Sequence, residues 1–119
     1  MAEIPSVQNV AAAIAKKVTD IAQAEGTTIL DFADRQRQRL AQHAVLLANL
    51  GAAGGLSDPD DRKEFLEGLE EMVKDFLLAL KGLALVAIEK IWNGVVDVVW
   101  GILDKAAGLT LPRPPAFQL

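Results

Sequence analysis

The segment from Asp58 to Gly108 constrains the fold more than any other part of this sequence. It opens with Asp58-Pro59-Asp60-Asp61, and no proline follows before Pro112. Aspartate caps the first turn of a helix, proline is favoured at the first helical position, and acidic residues interact favourably with the positive end of the helix dipole. Gly108 stands where a left-handed C-terminal cap is expected. The segment therefore predicts one long helix.

The second half of this helix, from Phe76 to Leu103, carries apolar residues around most of its circumference. Its polar residues fall mainly in one stripe of the helical wheel. A single partner helix covers only part of such a surface, and apolar patches above roughly a few hundred Å² are uncommon on stable monomers. We expect the excess to be buried between chains or against lipid. The residues predicted at this interface are Leu83, Ile91, Trp92, Val95, Val99, Trp100 and Ile102.

The first half of the chain is also predicted to be helical. Ser6 is a suitable N-cap, and apolar residues recur at helical spacing from Val7 onward. Gly26 interrupts this pattern before it resumes, and the glycine-rich stretch 51–57 is the clearest loop. Gly26 is interpreted as a kink or local break within one long arm, and a full break that gives three helices is the alternative.

These patterns predict an all-α fold, a long antiparallel helical hairpin that assembles into a larger helical bundle. The chain is expected to form one domain over residues 1–119. Its two arms, residues 6–50 and 58–107, would be roughly 68 and 73 Å long at 1.5 Å per residue, and near-equal lengths favour antiparallel packing. The turn lies at 51–57 and a proline-rich C-terminal tail at 109–119.

Charged residues near the turn are expected to pair between the two arms. In an antiparallel hairpin, arginines of the first arm lie opposite an acidic run of the second. Exposed pairs of this kind contribute only about 0.2–1 kcal/mol, so they would set register more than stability. The pairing is predicted within or between chains for Arg35 and Arg39 with Glu67, Glu71 and Asp75.

The residues offer little for catalysis. The chain has no cysteine and one histidine, His43, which lies beside an apolar seam and is interpreted as a buried or interfacial polar residue. The acids around Asp58 are explained by the helix start, and no pair of ligands has the spacing of a helical-bundle metal site. We therefore predict no enzyme activity, no cofactor, no metal and no small-molecule substrate. The net charge of −4 argues against nucleic acid as a partner.

Trp100 allows two interpretations. It lies among polar positions of the helical wheel, where a tryptophan is often an anchor at an interface or a membrane boundary. Alternatively, the C-terminal tail covers it. The string Pro112-Arg113-Pro114-Pro115 has the form of a polyproline ligand, but near the chain's end it is expected to lie over the bundle or a neighbour.

The leading functional hypothesis is a non-enzymatic, self-associating structural or scaffolding subunit of a larger assembly, including a viral or secretion-related one. The alternative is an amphipathic protein that binds a membrane or lipid surface. A lipid-exposed single span is disfavoured, because charged residues such as Glu89 and Asp97 would lie near mid-depth. Residues 1–5 carry no pattern of a secretory signal. The expected location is cytoplasmic, assembly-associated or at a membrane surface.

Overall fold

The computed structural model describes residues 4–29, 33–80 and 83–117. Within these residues the chain is all-α, as predicted, and contains four helices and no strand. They are α1 (Val7–Ala24), α2 (Asp34–Ala52), α3 (Pro59–Ala79) and α4 (Leu85–Ala107).

The predicted helix boundaries near the caps are confirmed. The Ser6 hydroxyl accepts a hydrogen bond from the Asn9 backbone N–H, and the Asp58 carboxylate accepts from the N–H groups of Asp60 and Asp61. These side chains satisfy amides that have no partner inside the helix. Gly108 ends α4 in the left-handed conformation at φ 69°, which a residue without a Cβ adopts without strain.

The prediction of two long helical arms is wrong, because each arm is divided into two helices. The first arm breaks at Gly26, which has φ 67°, so the alternative of a break is the one observed there. The second arm, predicted as one helix over 58–107, stops at Ala79. Leu80 and Ala84 are both extended before α4 begins at Leu85. The largest dimension of the molecule is accordingly only 41 Å.

The four helices alternate in direction, and α2 and α4 occupy the centre. Each of these two contacts every other helix, whereas α1 and α3 share no packing in the part of the chain that the structure describes. The C-terminal ends of α2 and α4 meet where a Cβ on Gly51 would lie 3.1 Å from the Ala107 Cβ. At the opposite end, Lys90 near the start of α4 forms an ion pair with Glu25 after α1.

One hydrophobic core runs through the bundle. Side chains from all four helices are fully buried in it, among them Ile14, Leu40, Leu69 and Ile91. The division of each arm into two helices explains how this core is enclosed. Four shorter helices enclose the apolar circumference of α4 on several sides, whereas a two-helix hairpin would leave much of it exposed.

Candidate functional site

The residues predicted at an interface lie largely inside this core. Ile91, Val95 and Val99 are fully buried, and both tryptophans are nearly so. Leu83 and Ile102 are half-buried and pack against the same core. The apolar excess of α4 is therefore covered within one chain. An interface at these seven residues stays a prediction, but the exposed surface that motivated it is not there.

The C-terminal tail covers both tryptophans. The Trp100 indole N–H donates to the Pro112 carbonyl at 2.9 Å, and the Trp92 indole N–H donates to the Pro115 carbonyl at 3.0 Å. The Phe117 ring packs on Trp92 with 5.3 Å between ring centroids. Of the two interpretations of Trp100, coverage by the tail is the one observed. The last two residues of the tail, 118–119, lie outside the described part of the chain.

Asp104 anchors the beginning of the tail. Its carboxylate accepts a hydrogen bond from the Leu111 N–H at 2.8 Å and forms an ion pair with Arg113, also at 2.8 Å. The Leu111 side chain is 1% exposed. Because Pro112 lies at Trp100 and Pro115 lies two turns earlier along α4 at Trp92, the tail runs antiparallel to α4.

Two open clefts remain between the tail and α3. The first, about 350 Å³, has Leu66 and Trp100 among its lining residues, and the second, about 330 Å³, includes Trp92 and Phe117. Glu70 lines both clefts. Partial burial, together with the neighbouring carboxylates of Glu71 and Glu67, raises the pKa of Glu70. We call the surface formed by Leu66, Glu70, Trp92 and Trp100 the tail groove.

The predicted ion pairs between the arms are not formed within the chain. Arg35 and Arg39 make no ion pair with Glu67, Glu71 or Asp75, all of which belong to the described residues. Arg39 and Asp75 nevertheless line one surface cleft of about 90 Å³ between α2 and α3, together with Gln36 and Met72. Glu67 and Glu71 instead line the two clefts beside the tail. Pairing between chains stays a prediction.

The outer surface of the α2–α3 pair also exposes large apolar side chains. Leu46 on α2 is 62% exposed, and Phe65 on α3, which the sequence pattern places on the core seam, is 37% exposed. We define the hairpin face by its charged and apolar members. They are Arg35, Arg39 and Leu46 on α2, and Phe65, Met72 and Asp75 on α3.

A second apolar surface flanks the connection between α3 and α4. Leu78 near the end of α3 and Leu85 and Val86 at the start of α4 are each about half exposed, at 52%, 49% and 56%. We call these three residues the apolar end. No helix within the described residues has the length and apolarity needed to cross a bilayer.

The described residues contain no group of three or more His, Asp or Glu side chains arranged to hold a metal ion. Burial lowers the pKa of His43, so its environment favours the neutral imidazole. The His43 side chain is half-buried on α2. Comparison with protein-family models, curated proteins and solved structures finds no match to this chain.

Sequence reasoning missed both the tail groove and the hairpin face as candidate sites. A signal for the groove was present, since Trp92 and Trp100 are eight positions apart and a proline-rich tail follows. Eight residues are about two helical turns, which places both rings on nearly the same side of α4. The hairpin face is marked only in part. Leu46 lies off the spacing of the core residues Ala44 and Leu47, but Phe65 follows the spacing of the core residue Leu69.

Proposed function

We propose that this chain is a non-enzymatic helical structural subunit that associates with copies of itself through the hairpin face. The observation that carries the proposal is the exposure of Leu46 and Phe65 beside charged residues of both signs that form no ion pair with another described residue. Apolar side chains surrounded by polar residues are typical of protein–protein contacts. Structural or scaffolding work in a larger assembly, viral or secretion-related assemblies included, fits such a role.

The charges favour a second copy as the partner. The hairpin face carries Arg35 and Arg39 on α2, and Asp75 on α3. A two-fold axis brings the same patch of two subunits together, so a surface with both signs can be complementary to itself. The arginines of one copy would then meet Asp75 of the other, which is the between-chain form of the predicted pairing.

The test is the molar mass of the wild-type chain and of Leu46→Glu, measured by light scattering over a dilution series. We expect the wild type to form a defined oligomer and Leu46→Glu to shift it toward the monomer with unchanged helical circular dichroism. Leu85→Glu is the matched control, since it places the same charge on a similarly exposed leucine away from the hairpin face. A wild-type chain that stays monomeric at high concentration contradicts the proposal.

Binding to a lipid surface is the second candidate function, and the apolar end supports it. Leu78, Leu85 and Val86 present three exposed aliphatic side chains around one connection, and such side chains can insert at the boundary of headgroups and acyl chains. Flotation with liposomes tests this candidate. Binding should be lost in Val86→Asp and kept in Leu46→Asp. Equal flotation of both variants would exclude the apolar end as the lipid contact.

A further inference from the structure

The tail is held in its groove by contacts that recognise an extended proline-rich backbone. Two indole N–H groups donate to carbonyls of Pro112 and Pro115, and the Asp104 carboxylate accepts the Leu111 N–H. Apolar side chains at both ends of this stretch, Leu111 and Phe117, are buried. Aromatic-lined grooves bind proline-rich segments in this way, since such segments are already extended and lose little conformational entropy on docking.

The tail is also joined to the bundle in a way that allows it to separate. Gly108, Leu109 and Thr110 are all exposed, and Gly108 provides a left-handed turn directly after α4. The clefts of about 350 and 330 Å³ show that the tail does not seal the space beside α3. The tail contributes Leu111 and Phe117 to the hydrophobic core, whereas the fully buried residues Ile14, Leu40 and Leu69 come from α1 to α3.

We propose that the tail groove is a recognition site for an extended proline-rich segment, and that the tail of a second copy can take the place of the chain's own tail. The tail is the segment whose chemistry is seen to fit the groove, and every copy carries it. Exchange of an identical element between subunits preserves all its contacts and needs rearrangement only at the connecting residues, here 108–110. This surface is separate from the hairpin face, so exchange does not depend on association there.

The experiment mixes two full-length variants, both carrying Leu46→Glu to remove association through the hairpin face. The acceptor adds Phe117→Ala, which weakens its own tail and retains both tryptophans. The donor adds Trp92→Phe and Trp100→Phe, which weaken its own groove and keep its tail intact. Because the chain has only two tryptophans, the donor contributes no tryptophan fluorescence, and the emission reports the acceptor groove alone.

We expect the donor chain to shift the tryptophan emission of the acceptor to shorter wavelength, with saturation near an equimolar ratio. The complex should have a mass equal to the sum of the two chains. A control donor that also carries Leu111→Asp and Phe117→Ala should give no shift. An unchanged emission, or an equal shift with the control donor, overturns the proposal.

Two further measurements keep the test decisive if a variant folds poorly. Circular dichroism checks each chain, and Phe117→Leu replaces Phe117→Ala if the acceptor loses helical signal. A synthetic peptide of residues 108–119 serves as an independent donor. Binding of this peptide without binding of the folded donor chain overturns exchange between copies. Failure of the hairpin-face proposal is read separately, from the mass of the wild-type chain.

Discussion

At the scale of single residues, Gly94 sets how closely α1 approaches α4. A Cβ at this position would lie 2.7 Å from the Ile21 Cδ1 and 3.1 Å from the Lys17 Cε. We expect Gly94→Val to lower the free energy of unfolding by about 1–3 kcal/mol, because a branched side chain overpacks this contact. Gly101→Val on the same helix is the control, since no atom of another element lies within 4 Å of its added Cβ. Urea denaturation of both variants checks the difference, and equal midpoints would mean that the contact between α1 and α4 is not tight at Gly94.

Glu70 gives a pH dependence at the same scale. Its pKa is raised in the folded chain, chiefly by burial, so the fold holds the proton more tightly than the unfolded chain does. The charged carboxylate therefore destabilises the fold above its folded pKa, and this penalty disappears as the pH falls below the unfolded value of about 4.3. Glu70→Gln should raise the thermal midpoint at neutral pH and have little effect near pH 3. A midpoint difference that is constant across this range would contradict the assignment.

At the scale of elements, the helix caps could be predicted from the sequence. The division of the two arms could be predicted only in part. Ser6, Asp58 and Gly108 act through neighbours in the chain, so a local pattern identifies them. The break at Gly26 was one of two alternatives, because a glycine inside a helix costs only about 1 kcal/mol relative to alanine and does not by itself end it. The sequence carries a glycine of the same kind, Gly82, just after Ala79, but for the same reason this glycine alone did not predict a break. The break after Ala79 reflects the tertiary gain from folding α4 back against α1, α2 and the tail.

The N-cap of α3 can be tested directly. Asp58→Ala removes the acceptor for the Asp60 and Asp61 amides, and we expect a loss of about 0.5–2 kcal/mol in the free energy of unfolding. Ser57→Ala, one residue outside the helix and exposed, should change it little. Chemical denaturation followed by circular dichroism measures both. A cost for Ser57→Ala as large as that for Asp58→Ala would show that the turn, rather than the cap, carries the effect.

At the scale of the whole molecule, composition correctly indicated an apolar excess but not where it goes. Ile91 and Val95 have the same spacing whether their cover comes from another chain or from the same one. Whether the cover comes from another chain or from the same one depends on how α4 packs relative to α3 and on where the tail lies. Both are set by long-range packing. What remains exposed after folding is a smaller and different set of residues, led by Leu46 and Phe65 on the hairpin face and by Leu78, Leu85 and Val86 at the apolar end.

Charge reversal across the hairpin face tests assembly at this scale. Arg39→Glu would place like charges against Asp75 of a second copy, and a loss of about 1.4 kcal/mol in association corresponds to a tenfold higher dissociation constant. Adding Asp75→Arg restores opposite charges and should recover the wild-type constant, because the pair is exchanged rather than removed. Lys105→Glu makes the same change of charge at an exposed position of α4 outside the hairpin face and should leave association unaltered. Light scattering on dilution gives the dissociation constants of the wild type and the three variants. A double variant as weak as Arg39→Glu alone would show that Arg39 and Asp75 do not meet between chains.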